Sequence, residues 1–170
     1  AKYYLSLIDE LIDNSEESIS LISIKPQNSD AGYVLKGDEV PLSVNITTVH
    51  QMIEEQVRKT PEKIAVVFED IQLTYSELNN RANQVAHLLL KLGIKSESIV
   101  GLYIERSHEM LISLLAIHKA GGAYLPLDPE FPQMRISYMI EHSGVDIILT
   151  QDSLIRKIPE TKAVIVSPYH

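Results

Sequence analysis

Ile99-Val100-Gly101-Leu102-Tyr103-Ile104 is an unbroken apolar run, and the pattern downstream of it decides the fold. A helical stretch covers about 107–120, then comes a second apolar run at 123–127 and a helix from Pro132 to about Glu141. A third run at 145–149, a weak helix near 152–157 and a last run at 163–167 complete the series. A strand with one solvated face alternates apolar and polar residues. A strand covered on both faces does not, because both sets of its side chains leave water. Short apolar runs, each followed by a helix, therefore predict an α/β fold built on a partial, open, mostly parallel sheet with helices on both faces.

Working outward toward the N-terminus, the long helix expected at about 75–92 has the best-defined start. Thr74-Tyr75-Ser76-Glu77 fits a capping box, in which the Thr74 hydroxyl accepts from the Glu77 amide and the Glu77 carboxylate accepts from the Thr74 amide. Leu73 and Leu78 are spaced as a hydrophobic staple. Leu78, Ala82, Val85, Ala86, Leu89 and Leu92 then continue one face up to Gly93, a C-terminal cap. The helix at 107–120 carries apolar residues around most of its circumference, which predicts burial between layers, and Gly121 suits its C-cap. Upstream again, Val49, Met52, Ile53 and Val57 make a helical stripe that stops before Pro61. Ile64–Phe68 and Ile71-Gln72-Leu73 read as two short strands across a Glu69-Asp70 turn.

Residues 1–47 are written in another style. Apolar residues at three-to-four spacing over 2–13 suggest a short amphipathic helix, and Ile19–Ile24 suggests a strand. One helix and one strand cannot enclose a core, so this segment is expected to belong to something larger upstream. Residues 25–47, with Pro26, Gly32, Gly37 and Pro41 and little periodicity, read as a linker. The organisation expected is thus 1–24, 25–47 and 48–170. The chain begins at Ala1 and stops two residues after Pro168, and both ends read as cut.

Composition narrows the function. The chain has 170 residues, 45% of them hydrophobic, which suffices for one sizeable core. Fifteen basic against 23 acidic residues leave a net charge of −8, with no surplus of cations to displace counterions from nucleic acid. Without cysteine there is no disulfide, thiolate metal site or cysteine nucleophile. No apolar run reaches the roughly 18–20 residues of a membrane span, and acidic residues interrupt the N-terminal stretch where a signal peptide would lie. A cytoplasmic protein is the expectation.

No stretch completes an active site. Gly121-Gly122 precedes Ala123-Tyr124-Leu125-Pro126-Leu127-Asp128-Pro129, but these glycines end a helix, whereas phosphate cradles open one. The structural reading, a sharp turn out of the helix, outweighs the phosphate-binding one. His50, His87, His108, His118, His142 and His170 show no metal-ligand spacing. Glu54-Glu55 and Glu69-Asp70 read as a solvated helix face and a turn. Arg106 and Arg135, each near a helix start, suit buried or interfacial pairing better than catalysis. Asn45-Ile46-Thr47 matches a glycosylation sequon, idle without secretion.

Several segments taken together resemble the beginning of the adenylation domains of nonribosomal peptide synthetases, in the superfamily of adenylate-forming ligases. They are TVHQMIEEQVRKTPEKIAVVFED (48–70), LTYSELNNRANQVAHLLLKLG (73–93) and the stretch from SIVGLYIERS to DIILT (98–150). A first family signature, Leu-Thr-Tyr-x-Glu-Leu, falls on Leu73 to Leu78. A second, Leu-Lys-Ala-Gly-x-Ala-Tyr-x-Pro-x-Asp, falls on His118 to Asp128, with His118 where Leu is usual. Arg106-Ser107 and Pro129-x-x-Pro132 also match. The likeness runs from about Thr48 to Pro168, and residues 1–24 are similar to the end of a condensation domain.

The resemblance implies a parent that activates an amino acid with ATP and Mg²⁺ as aminoacyl-adenylate and loads it on the phosphopantetheine arm of a carrier domain. The family's glycine-rich lysine loop, substrate pocket, ribose-binding Asp and C-terminal lysine all come later in its order than His170. No catalytic, cofactor-binding or metal-ligating residue is therefore assigned to this chain. It is expected to be inactive alone and to bind no cofactor, with the rest of the synthetase as its partner and neither nucleic acid nor membrane. A truncated gene product, an incomplete reading frame and an excised piece all fit. Two other classes compete. One is a non-catalytic docking piece that complements a separately encoded remainder. The other is a self-contained nucleotide-binding module, weakened by the missing glycine-rich turn between a strand and a helix start.

Overall fold

The computed structural model describes residues 48–169, and Ile12 alone before them. The chain divides into two units, Ala1–Ser43 and Val44–His170, and the fold set out below is that of the second. The helix expected at 2–13, the strand at 19–24, the linker at 25–47 and the sequon at Asn45 lie outside the described residues, as does His170.

The order of elements is α1 (Val49–Lys59), β1 (Ile64–Phe68), β2 (Ile71–Thr74), α2 (Tyr75–Lys91), β3 (Ile99–Tyr103), α3 (His108–Lys119), β4 (Ala123–Pro126), α4 (Gln133–Ser143), β5 (Ile147–Thr150) and β6 (Val164–Val166). A 3₁₀ helix at Asp152–Lys157 stands where the sequence suggested a weak helix. Strands β1 and β2 pair antiparallel across the Glu69-Asp70 turn, in which Glu69 takes φ 51°. The other four strands form a parallel sheet in the order β4-β3-β5-β6.

Helices cover both faces of that sheet, and the strands show why their sequences do not alternate. Val100, Leu102, Ile147 and Leu149 point to one side, into a core shared with Ala82, Val85 and Leu89 of α2, Ile112, Leu115 and Ala116 of α3, and Val66 and Leu73 of the hairpin. Tyr103 and Ile148 point to the other side, against Ile136 and Ile140 of α4 and Leu154 of the 3₁₀ helix. Successive residues enter opposite cores, so both must be apolar. Gly101 belongs to the second side, where an added Cβ would lie 3.1 Å from both Ile148 Cγ1 and Leu127 Cδ1.

Local signals act as expected at α2. The Thr74 amide donates to Glu77 Oε2 at 2.8 Å, and the Glu77 amide donates to Thr74 Oγ1 at 3.2 Å. These bonds, the one from the Thr74 amide first, hold the Glu77 carboxyl below the ordinary glutamate range. A carboxyl held low in the folded state adds stability above its unfolded-state pKa and loses it as pH falls through the folded-state value. Glu77→Gln keeps an acceptor for the Thr74 amide but cannot titrate. Its thermal midpoint is expected to lie below the parent's at neutral pH, with the gap closing as pH is lowered to about 3. Circular-dichroism melts across that range check this; a gap independent of pH would refute it.

Other apolar stripes are only partly used. Val49 (65% exposed) and Met52 (54%) face away from the core, so α1 packs through Ile53 and the half-buried Val57. Leu92 ends the α2 stripe at 41% exposure, and Leu111 of α3 is 47% exposed. Leu111 is the one exposed residue of α3, whose other positions are buried or half-buried, as the sequence expectation of burial between layers requires. Helix α4 begins at Gln133, with Pro132 as the residue before its first turn. Among the described residues no helix is long and apolar enough to cross a membrane.

Candidate functional site

In open α/β sheets ligands bind outside the carboxyl ends of the strands, where neighbouring strands send their connections to opposite faces. Here that place lies between β3 and β5. The chain leaves β3 for α3 on one face and β5 for the 3₁₀ helix on the other. A side chain already occupies it. Gln151, the residue after β5, accepts from the Glu105 amide at 3.0 Å and donates from Nε2 to the Glu109 carboxylate. Beside it the Thr150 hydroxyl, fully buried, donates to the Tyr103 carbonyl at 2.8 Å. The carboxamide ties the loop after β3 to the first turn of α3.

The open space lies to one side, over the ends of β3 and β4. A cavity of about 1040 Å³ is bounded by Glu105 and Arg106 after β3, by Asp128 and Phe131 after β4, by Arg135 of α4 and by Lys157. Glu130 completes a wall of three carboxylates and three cations, a balance without bias toward a polyphosphate. Asp128 is committed to the turn: its Oδ1 accepts from the Glu130 amide at 2.9 Å and its carbonyl from the Phe131 amide at 3.0 Å. Tyr103 donates its hydroxyl to the Lys157 carbonyl at 3.4 Å. Burial first, then the Asp128 and Glu105 charges, push its pKa up.

Arg106 and Arg135 do come together at this cavity; of the buried or interfacial pairing the sequence suggested, the buried form is not found. Both are exposed, and neither makes an ion pair among the described residues. Arg135 instead lays its guanidinium 3.8 Å above the Phe131 ring. Arg106 lies on the loop after β3 and Arg135 on the first turn of α4, both at the solvent-facing rim of the cavity.

The Gly121-Gly122 turn is structural. Gly121 takes φ 80° and donates to the His118 carbonyl, while Gly122 donates to the Ile117 carbonyl at 3.0 Å, the paired bonds that finish a helix. A Cβ on Gly122 would sit 2.9 Å from the Ser98 carbonyl oxygen, so the missing side chain lets two backbones touch. No amide of this turn is left pointing at a ligand.

The histidines are scattered. His118 meets Tyr124 edge-on at 5.7 Å, and His142 stacks on Tyr138 at 5.2 Å. His108 Nδ1 is buried without a partner beside a cavity of about 420 Å³, near Tyr169. The Tyr169 hydroxyl bonds Ser113 and donates to the Glu109 carbonyl, and burial pushes its pKa up to about 12. No three His, Asp or Glu side chains converge as a metal site among the described residues. No chemical step is derived through ATP·Mg²⁺ from these residues.

Two long-range contacts escaped the sequence reading. Gln151 was one residue in a polar loop. Glu54 read as part of a solvated helix face, yet it pairs with Lys119, 65 positions away. Its neighbour Glu55 fits the simpler reading, in an exposed pair with Lys59 at 2.8 Å. Neither Gln151 nor Glu54 carries a local signal of its partner.

This geometry defines an open, parallel α/β domain whose strand ends are tied together by the Gln151 and Thr150 side chains. The sequence matches the AMP-binding enzyme family over residues 53–168, and the chain belongs to that family. Gramicidin S synthase 2 of Brevibacillus brevis is 44% identical over 156 residues, 91% of this chain and 4% of that protein. Bacitracin synthase 3 of Bacillus licheniformis is 56% identical over 102 residues, 60% of this chain and 2% of that protein. A crystal structure of the nonribosomal peptide synthetase FmoA3 in its α-methyl-L-serine-AMP-bound form matches with a TM-score of 0.69 at 30% identity. The match covers 72% of this chain and 14% of that one. The N-terminal subdomain of Klebsiella oxytoca NpsA matches at 0.64 and 25% identity, over 71% of this chain and 30% of that one. The described fold is that of the opening portion of a nonribosomal peptide synthetase adenylation domain.

Proposed function

We propose that this chain is scaffold from a synthetase module whose parent activates an amino acid. In that reaction a carboxylate oxygen attacks the α-phosphorus of ATP, pyrophosphate leaves, and the aminoacyl group then passes to a carrier domain's phosphopantetheine thiol. Residues 1–24 are the tail of a condensation domain, 25–47 a linker and 48–170 the start of the adenylation domain, and the remaining domains of the synthetase are the partners. The parent works in the cytoplasm. On its own this chain does not catalyse adenylation.

The observation that carries this reading is 44% identity to gramicidin S synthase 2 over 91% of the chain. ATP–pyrophosphate exchange, run with the purified chain over the proteinogenic amino acids, is expected to stay at background. Exchange that depends on one amino acid would overturn it.

A further inference from the structure

Helix α1 is held differently from the other helices. It has no fully buried residue, and Val49 and Met52 face solvent. What ties it to the domain is Ile53, half-buried against the core, the half-buried Val57, and the ion pair between Glu54 and Lys119. Lys119 ends α3, and its side chain is only 7% exposed, whereas Glu54 is 42% exposed. Among the described residues Lys119 has no other acidic partner. The bond from Lys119 holds the Glu54 carboxyl below the ordinary glutamate range, against the effect of burial, and the His50 and Arg58 charges add to it. A cleft of about 260 Å³ beside the pair, lined by His50 and Gln51 of α1 and by Asn83 and His87 of α2, shows that the seat is not close-packed.

We infer that Glu54 and Lys119 form a latch, and that α1 is a strap whose docking can be released without unfolding the sheet. Removing either charge acts on α1 alone, because its apolar hold is slight while the sheet keeps both of its cores.

Hydrogen exchange of the 170-residue chain, read by mass spectrometry, tests this with Glu54→Gln, Lys119→Gln and the double variant. Each single variant is expected to speed exchange in residues 49–59 roughly tenfold while β3 and β5 keep their protection. The double variant should exchange no faster than the worse single one, as a coupled pair requires. Three outcomes would overturn the latch: unchanged exchange in 49–59, an equal loss of protection in β3 and β5, or single effects that simply add.

Discussion

Leu149→Ala is expected to destabilise the domain by about 3–5 kcal/mol, the range for emptying a fully buried leucine site that cannot collapse. Leu149 has no solvent exposure and stands at the centre of β5, in register with Leu102 on one side and Val166 on the other. Its side chain enters the larger core, where backbones hydrogen-bonded in a sheet cannot move in to fill a void. A small domain has only about 5–15 kcal/mol in total, so the variant stands near the edge of folding. Urea unfolding followed by circular dichroism should show a lower midpoint with an unchanged slope. Leu111→Ala, at the exposed position of α3, supplies the contrast and should cost less than about 1 kcal/mol. Equal losses for the two would mean that the sheet does not carry the core described above.

Gly122→Val is expected to cost about 3 kcal/mol, the upper end for overpacking, because its Cβ must displace backbone. The position 2.9 Å from the Ser98 oxygen is already in use: Ser98 accepts from the Ala123 amide at 2.9 Å, the bond that starts the β3–β4 ladder. Pushing Ser98 aside also strains the bond from the Glu97 amide to the Gly121 carbonyl at 2.8 Å. Both strands lose their starting alignment, and the cavity wall at their far ends goes with it. Gly121→Ala separates the two causes. Its Cβ would have ordinary room, 3.7 Å from Ser96 Cα, and only its positive φ opposes it, so about 1 kcal/mol is expected. Thermal melts rank the two variants, and a Gly121 variant as damaged as the Gly122 one would contradict the backbone-contact argument.

Much of this fold could be read residue by residue because its causes are local. Thr74 and Glu77 meet within one turn, and the Gly121 turn closes on carbonyls three and five residues back. The parallel sheet followed from apolar runs too short for helices. Contacts between distant segments could not be read this way. The exposure of Val49, Met52, Leu92 and Leu111 depends on which surfaces happen to lie opposite, and periodicity marks a stripe without saying how much of it finds a neighbour. Arg106 and Arg135 illustrate the same limit: their helix-start positions were correct, but whether either makes an ion pair depends on distances that only the fold sets.

The sequence by itself determined the element order, the caps, the two-sided burial of the strands and the kinship with adenylating enzymes, since each rests on neighbours in the chain or on recurring motifs. Tertiary structure alone decided that Gln151 fills the crevice between β3 and β5 and that Lys119 is neutralised by Glu54. Those partners are 42 to 65 positions apart, or meet across a sheet whose strand order departs from chain order. Hydrogen bonds and ion pairs act over a few ångströms, so only the folded arrangement of strands and helices sets which polar groups come within reach.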